Sequence, residues 1–159
     1  MSATDSAVEV GAPAPDFTLP NQDREPVTLS SLRGRHVVLA FFPAAFTDVC
    51  TKEVCTFRDS LAQLNDANAA VFGISVDHPA TLKEFARQQQ LNYPLLSDFN
   101  KEAIESYGVS NVDRNGFRGI AKRAVFVVDA AGVVRHKEIT AHPGLEPDYS
   151  RIHAVLAEL

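Results

Sequence analysis

Two thiols, Cys50 and Cys55, are the only sulfhydryls in the chain, and both follow an apolar run that closes at Pro43-Ala44-Ala45-Phe46-Thr47-Asp48-Val49-Cys50. The run Val37 to Phe42 has strand length and ends at Pro43, and a helix-compatible stretch begins near Thr47 or Asp48. Cys50 therefore falls in the first turn of a helix, where several N–H groups lack an intrahelical partner. The positive end of the helix dipole stabilises a thiolate there relative to the thiol, so chemistry at Cys50 is expected. Acidity alone accomplishes little. A free thiol of pKa about 8.5 is a few per cent ionised at pH 7, and lowering it to about 6 raises the reactive fraction at most about thirtyfold. The rest of any rate must come from holding a reactant in line and stabilising charge on a leaving group. All of this requires that the reactant can reach the sulfur.

The elements that must position these thiols follow from periodicity. Asp16 to Leu19 and Val27 to Leu29 read as short strands, and Val37 to Phe42 and Val71 to Val76 as buried ones. Between the last two, Val54, Phe57, Leu61 and Leu64 recur every three or four residues, which predicts a helix over Glu53 to Asn68. Leu82, Phe85 and Ala86 predict a second helix over Pro79 to Gln90, with Thr81 contributing to its start. An extended piece at Tyr93 to Leu96, a short helix at Glu102 to Tyr107 and a loop through Gly116 and Gly119 follow. Ala124 to Val128 and Val133 to Ile139 flank Asp129-Ala130-Ala131-Gly132 as a hairpin, and a final helix spans about Asp148 to Ala157. Strands alternating with helices, then a hairpin and a terminal helix, predict an α/β fold with a central mixed sheet flanked by helices. The order resembles the thioredoxin fold with an N-terminal extension. The reactive end would be the C-terminal end of the Val37 to Phe42 strand.

Composition sets the bounds. The chain has 159 residues, enough for one domain over 1–159, with 1–13 read as a loose N-terminal arm. Hydrophobic residues make up 45% and charged ones 22%, as in an ordinary globular protein. The net charge of −5, without a block of basic residues, argues against nucleic acid and anionic membranes as partners. Met1 to Ser6 lacks the basic start and apolar segment of a secretion signal, and no apolar run reaches membrane-spanning length. Two cysteines do not make a disulfide framework, so a cytoplasmic location and reactive thiols are expected.

Pro43, Thr47 and Cys50 form the pattern Pro-x-x-x-Thr-x-x-Cys, which resembles the active-site motif of peroxiredoxins, thiol peroxidases that reduce hydrogen peroxide and organic hydroperoxides. Further matching blocks lie, in order, at Ala14 to Leu19, Phe41 to Pro43, Pro94 to Asp98 and Arg123 to Asp129. The resemblance implies that Cys50 is the nucleophile, that Thr47 hydrogen-bonds the peroxide, and that Arg123 supplies fixed donors and permanent charge. Arg114 and Arg118 are the alternatives to Arg123. Pro43 would shield Cys50 from bulk water, Phe42, Phe46 and Ile120 would form an apolar collar, and Glu53, one helical turn after Cys50, would orient the arginine. For Thr47 a helix N-cap role competes with, or accompanies, the chemical one. No metal, flavin or haem is required.

Attack on peroxide leaves a sulfenic acid that a second thiol must condense with, and Cys55 is the internal candidate. On an intact helix, positions five apart lie about 8.7 Å apart at Cα, whereas a disulfide needs about 4.4 to 6.8 Å. The first turns must unwind. The Cys-x4-Cys spacing resembles the bacterioferritin-comigratory, or Q-type, peroxiredoxins, while Gly119 to Arg123 is closer to the one-cysteine alkyl hydroperoxide reductase E type, which uses an external thiol. The implied reductant is a thiol donor such as thioredoxin or glutaredoxin, and a homodimer with Phe46 at its contact is implied as well.

Two other chemistries compete. A thioredoxin-fold copper-binding module would hold Cu(I) with Cys50, Cys55 and a distant histidine such as His136 or His142, although such modules have Cys-x-x-x-Cys and an export signal. The five histidines, His36, His78, His136, His142 and His153, show no short paired spacing with the cysteines, which argues against zinc. A cysteine hydrolase would need a base histidine, which sequence spacing neither supplies nor excludes.

Overall fold

The computed structural model describes residues 8–111 and 116–159. Its centre is a five-stranded mixed sheet. The strands are β3 (His36–Phe41), β4 (Ala69–Ser75), β5 (Leu95–Ser97), β8 (Ala124–Val128) and β9 (Val134–Ile139), in the order β5-β4-β3-β8-β9. β3, β4 and β5 run parallel, while β8 lies antiparallel to both β3 and β9. Two short ladders lie outside it, β1 (Thr18–Pro20) with β2 (Pro26–Thr28), and β6 (Ser110–Asn111) with β7 (Ile120–Ala121). The helices are α1 (Asp48–Asp59), α2 (Leu61–Asp66), α3 (Pro79–Gln88), α4 (Glu102–Ser106) and α5 (Tyr149–Ala157).

Pleating explains the continuous apolar run of β3. Successive side chains point to opposite faces, and both faces are covered. Val37, Leu39 and Phe41 join a cluster with Phe17, Leu19, Ile104, Tyr107 and Phe126. Val38, Ala40 and Phe42 join a second one with Val54 and Phe57 of α1, Leu82 and Phe85 of α3, and Ile152 and Leu156 of α5. Cys50 belongs to this second layer. Gly73 on β4 makes the packing possible, because a Cβ there would stand 2.6 Å from a Leu95 methyl and 3.2 Å from the Phe42 ring. The α/β sandwich with a mixed sheet is the thioredoxin-like arrangement expected from the order of the elements.

Several details depart from the expectations. The helix begins at Asp48, as its expected start near Thr47 or Asp48 requires, but the stretch foreseen as helical over Glu53 to Asn68 is interrupted at Ser60, whose φ of −98° and ψ of 2° end α1 before α2 begins. The Ser60 hydroxyl donates to the Thr56 carbonyl at 2.9 Å, giving the backbone a local alternative to continuing. His78, not Thr81, caps α3: its Nδ1 accepts from the Ala80 N–H at 3.0 Å, with Pro79 at the first helical position. Of the arm foreseen over 1–13, residues 1–7 lie outside the described residues, whereas Val8–Pro13 dock on the start of β9. Gly11 N–H donates to the Val134 carbonyl at 2.7 Å, Val134 N–H donates to the Ala12 carbonyl at 2.9 Å, and Val8 is buried. Backbone pairing with an edge strand holds a segment whose composition looks loose.

Candidate active site

The site lies where β3 ends and α1 begins. Phe42 continues the parallel pairing, its N–H donating to the Ile74 carbonyl at 2.9 Å, and the buried Pro43 then turns the chain. The turn is held from the side by Asp77, just beyond β4. Its Oδ2 accepts from the Ala45 N–H at 2.8 Å and from the Ser75 hydroxyl at 2.7 Å. Phe46 adopts a left-handed φ of 67°, a conformation that costs a bulky residue on the order of 1 kcal/mol or more and persists only where its surroundings impose it. Thr47 is the N-cap residue, but its side chain makes no capping bond to the helix. The hydroxyl donates instead to the Ala44 carbonyl at 2.8 Å, which tightens the turn. The first intrahelical bond, Thr51 N–H to the Thr47 carbonyl at 2.9 Å, puts Cys50 at the third helical position, whose N–H a helix leaves unpaired.

Arg123 comes from the other side, at the residue before β8. Its Nη2 donates to Cys50 Sγ at 3.2 Å, and its Nη1 donates to Glu53 Oε1 at 2.7 Å. Nε and Nη2 both donate to the Pro143 carbonyl, at 3.1 and 2.9 Å. Three acceptors thus fix the fork of a guanidinium that is only 3% exposed. Although burial acts to lower it, the pKa of Arg123 is held above its ordinary value by the Glu53 carboxylate and the Cys50 sulfur. Glu53 is fully buried, and burial pushes its carboxyl up to about 7 against the pull of Arg123. Its Oε2 has no hydrogen-bond partner among the described residues.

The structure therefore brings Cys50, Arg123 and Glu53 together across 73 and 70 positions of sequence separation. Cys50 itself is 1% exposed, so the thiol expected to be reachable is enclosed in this conformation. A cavity of about 240 Å³ borders the site through Arg123 and is lined also by Lys122, Ile139, Thr140, His142 and Pro143. Phe42 is fully buried in the same core layer as Cys50, and Phe46 is half exposed with its ring 5.1 Å from Phe85. Ile120 is half-buried on β7, opposite Asn111. Arg114 lies outside the described residues. Cys55, on α1 as well, is a free thiol whose S–H donates to Gln89 Oε1 at 3.4 Å. Pro143 and Asp77 carried no signal in the sequence reading. Pro143 acts through a backbone carbonyl, and Asp77 through one backbone N–H 32 residues away.

Comparison with known proteins identifies the family and the fold. The AhpC/TSA family profile matches residues 10–137, a span that contains every residue from Pro43 to Arg123. Alkyl hydroperoxide reductase E of Mycobacterium tuberculosis is 43% identical over 135 residues, which is 83% of this chain and 86% of that protein. A putative bcp peroxiredoxin of Coxiella burnetii is 42% identical over 132 residues, 80% of this chain and 86% of the relative. Among solved structures, peroxidoxin BcpB of Mycobacterium tuberculosis superimposes with a TM-score of 0.85 at 33% identity, covering 96% of this chain and 98% of the other. The chain belongs to the AhpC/TSA family. It is accordingly a peroxiredoxin, a thiol-dependent peroxidase that reduces a peroxide at the expense of a thiol reductant. The copper alternative gains nothing: among the described residues no three of His, Cys, Asp and Glu gather where they could hold a metal ion.

Proposed function

We propose that Cys50 is the peroxidatic nucleophile and that Cys55 returns it to the thiol through an intramolecular disulfide. The Cys50 thiolate attacks one oxygen of hydrogen peroxide or an organic hydroperoxide, forming the S–O bond as the O–O bond breaks. The departing hydroxide or alkoxide takes up a proton from solvent and leaves as water or an alcohol, and Cys50 becomes a sulfenic acid. Arg123 and the Cys50 N–H stabilise the charge gathering on the departing oxygen. The Thr47 oxygen, its own proton committed to Ala44, accepts a hydrogen bond from the peroxide. Glu53 orients Arg123, Pro43 keeps bulk water from the sulfur, and Phe42, Phe46 and Ile120 form an apolar collar. The observation that carries the reading is the 3.2 Å bond from Arg123 to the Cys50 sulfur, made by a guanidinium that Glu53 and Pro143 hold in place. Because Cys50 is enclosed, peroxide reaches it only when a covering side chain swings aside, and the cavity beside Arg123 is the approach this reading favours.

The Cys55 thiol then condenses with the sulfenic acid, expelling water, and a thiol donor of the thioredoxin or glutaredoxin kind reduces the disulfide. α1 runs unbroken through both cysteines, so this step requires its first turns to unwind. The reading includes a cytoplasmic location, consistent with two free thiols and with no helix among the described residues long and apolar enough to cross a membrane. It also includes a homodimer that covers the exposed Phe46. Peptide mass spectrometry and stopped-flow oxidation test the chemistry. Cys50→Ser is expected to abolish peroxide consumption, and Cys55→Ser to keep the first oxidation while requiring an external thiol to recycle. A wild-type chain that accumulates Cys50 sulfenic acid with Cys55 still reduced would assign resolution to an external thiol.

A further inference from the structure

α1 carries both cysteines, and its second half is held by more than its own hydrogen bonds. The chain from Gln89 to Tyr93, which connects α3 to β5, reaches across to it at separate points. Besides the Cys55 S–H bond to Gln89 Oε1, Arg58 Nη1 donates to the Gln89 carbonyl at 2.6 Å, and Asn92 Nδ2 donates to the Arg58 carbonyl at 3.3 Å. The Tyr93 hydroxyl donates to the Val54 carbonyl at 2.7 Å. The first three lie at or near the surface, where water replaces a broken bond at little cost. The Tyr93 bond is different. Tyr93 is 5% exposed and Val54 2%, so parting them leaves a buried hydroxyl without a partner until water arrives. Val54 directly precedes Cys55, so the bond pins the residue that must move for Cys55 to approach Cys50.

We propose that Tyr93 is a positioning residue for the resolving step: by bonding the Val54 carbonyl, its hydroxyl holds Cys55 on the folded helix and so sets how fast the Cys50–Cys55 disulfide can close. This rests on Cys55 being the resolving thiol. In that step the Cys55 sulfur attacks the Cys50 sulfur of the sulfenic acid. The S–S bond forms as the S–O bond breaks, and the departing hydroxyl leaves as water with the thiol proton. Until the latch opens, the sulfenic acid persists and a second peroxide competes for it. Tyr93 thereby divides turnover between recycling and overoxidation without touching the first reaction.

Tyr93→Phe removes the hydroxyl and keeps the ring. With the purified full chain, stopped-flow mixing with hydrogen peroxide followed by acid-quench mass spectrometry separates sulfenic acid formation from disulfide formation. The variant is expected to form sulfenic acid at the wild-type rate and the disulfide roughly fivefold faster, which corresponds to about 1 kcal/mol. The peroxide concentration that gives half overoxidation should rise by a similar factor. Tyr93→Met, which also lacks the hydroxyl, should accelerate the disulfide in the same direction and serves if Tyr93→Phe does not fold. A disulfide rate equal to wild type in the folded variants overturns the role of the latch alone. Failure of the wild-type chain to form any Cys50–Cys55 disulfide overturns the resolving role of Cys55 and this inference together.

Discussion

Arg123 and Glu53 set the electrostatics around Cys50. A buried guanidinium is tolerable only with its donors satisfied, and here the Glu53 carboxyl oxygen, a backbone carbonyl and the sulfur share them. Glu53 bears the cost of the arrangement. Its enclosure outweighs the attraction of Arg123, Glu146 and Glu138 add repulsion, and the carboxyl holds its proton up to about pH 7. Because the folded state binds this proton more tightly than the unfolded chain, the associated stabilisation is complete below the unfolded value near 4.5 and is lost as the pH rises through about 7. The size is on the order of 3 kcal/mol. Thermal unfolding followed from pH 4 to 8 is therefore expected to show a component of falling stability that is absent in Glu53→Gln, whatever that variant's absolute stability. An unchanged pH profile in the variant would show that Glu53 is already ionised throughout this range.

The turn between β3 and α1 has to be held because one of its residues is strained. Phe46 remains left-handed while the neighbouring Ala45 N–H is fixed by Asp77 and the Thr47 hydroxyl closes onto Ala44. The same turn sets where α1 begins and hence where Cys50 points. Asp77→Ala removes the acceptor for Ala45, and the rate of Cys50 oxidation by hydrogen peroxide is expected to fall about tenfold, since small displacements of a reacting group cost orders of magnitude. Asp77→Asn retains an acceptor oxygen and should recover most of the rate. Equal losses in the two variants would point to the charge of Asp77 rather than to its hold on the turn.

Across the whole molecule, the sheet separates two cores with different duties. The layer containing Phe41 packs Tyr107, Phe126 and the N-terminal strands, while the layer containing Phe42 encloses Cys50, α1 and α3. Phe41→Ala and Phe42→Ala each remove a fully buried ring and are expected to cost about 3 to 5 kcal/mol in denaturant unfolding. Only Phe42→Ala should also change the peroxide rate per folded molecule, because only its cavity opens in the core layer that holds the sulfur. A similar change of rate in Phe41→Ala would mean that strain crosses the sheet.

Local chemistry was legible in the residues themselves. The apolar run Val37 to Phe42, the proline that ends it and the Thr-x-x-Cys spacing determined that a thiol would stand at a helix start after a buried strand, because periodicity and helix geometry act over a few residues. Arg123 was legible through a block that resembles known peroxidases, and Glu53 through its place one helical turn after Cys50. Their 2.7 Å pairing and its hold on Cys50 were decided only when β8 paired with β3 and brought Arg123 to α1. The Pro143 carbonyl, the Asp77 carboxylate on Ala45, the Tyr93 latch and the docking of Val8–Pro13 had no signature in the chain. Each depends on a backbone group, which every residue type carries alike, meeting a partner far away in sequence. The enclosure of Cys50 is of the same kind, since burial comes from both sides of the fold closing over a residue and its immediate neighbours cannot decide it.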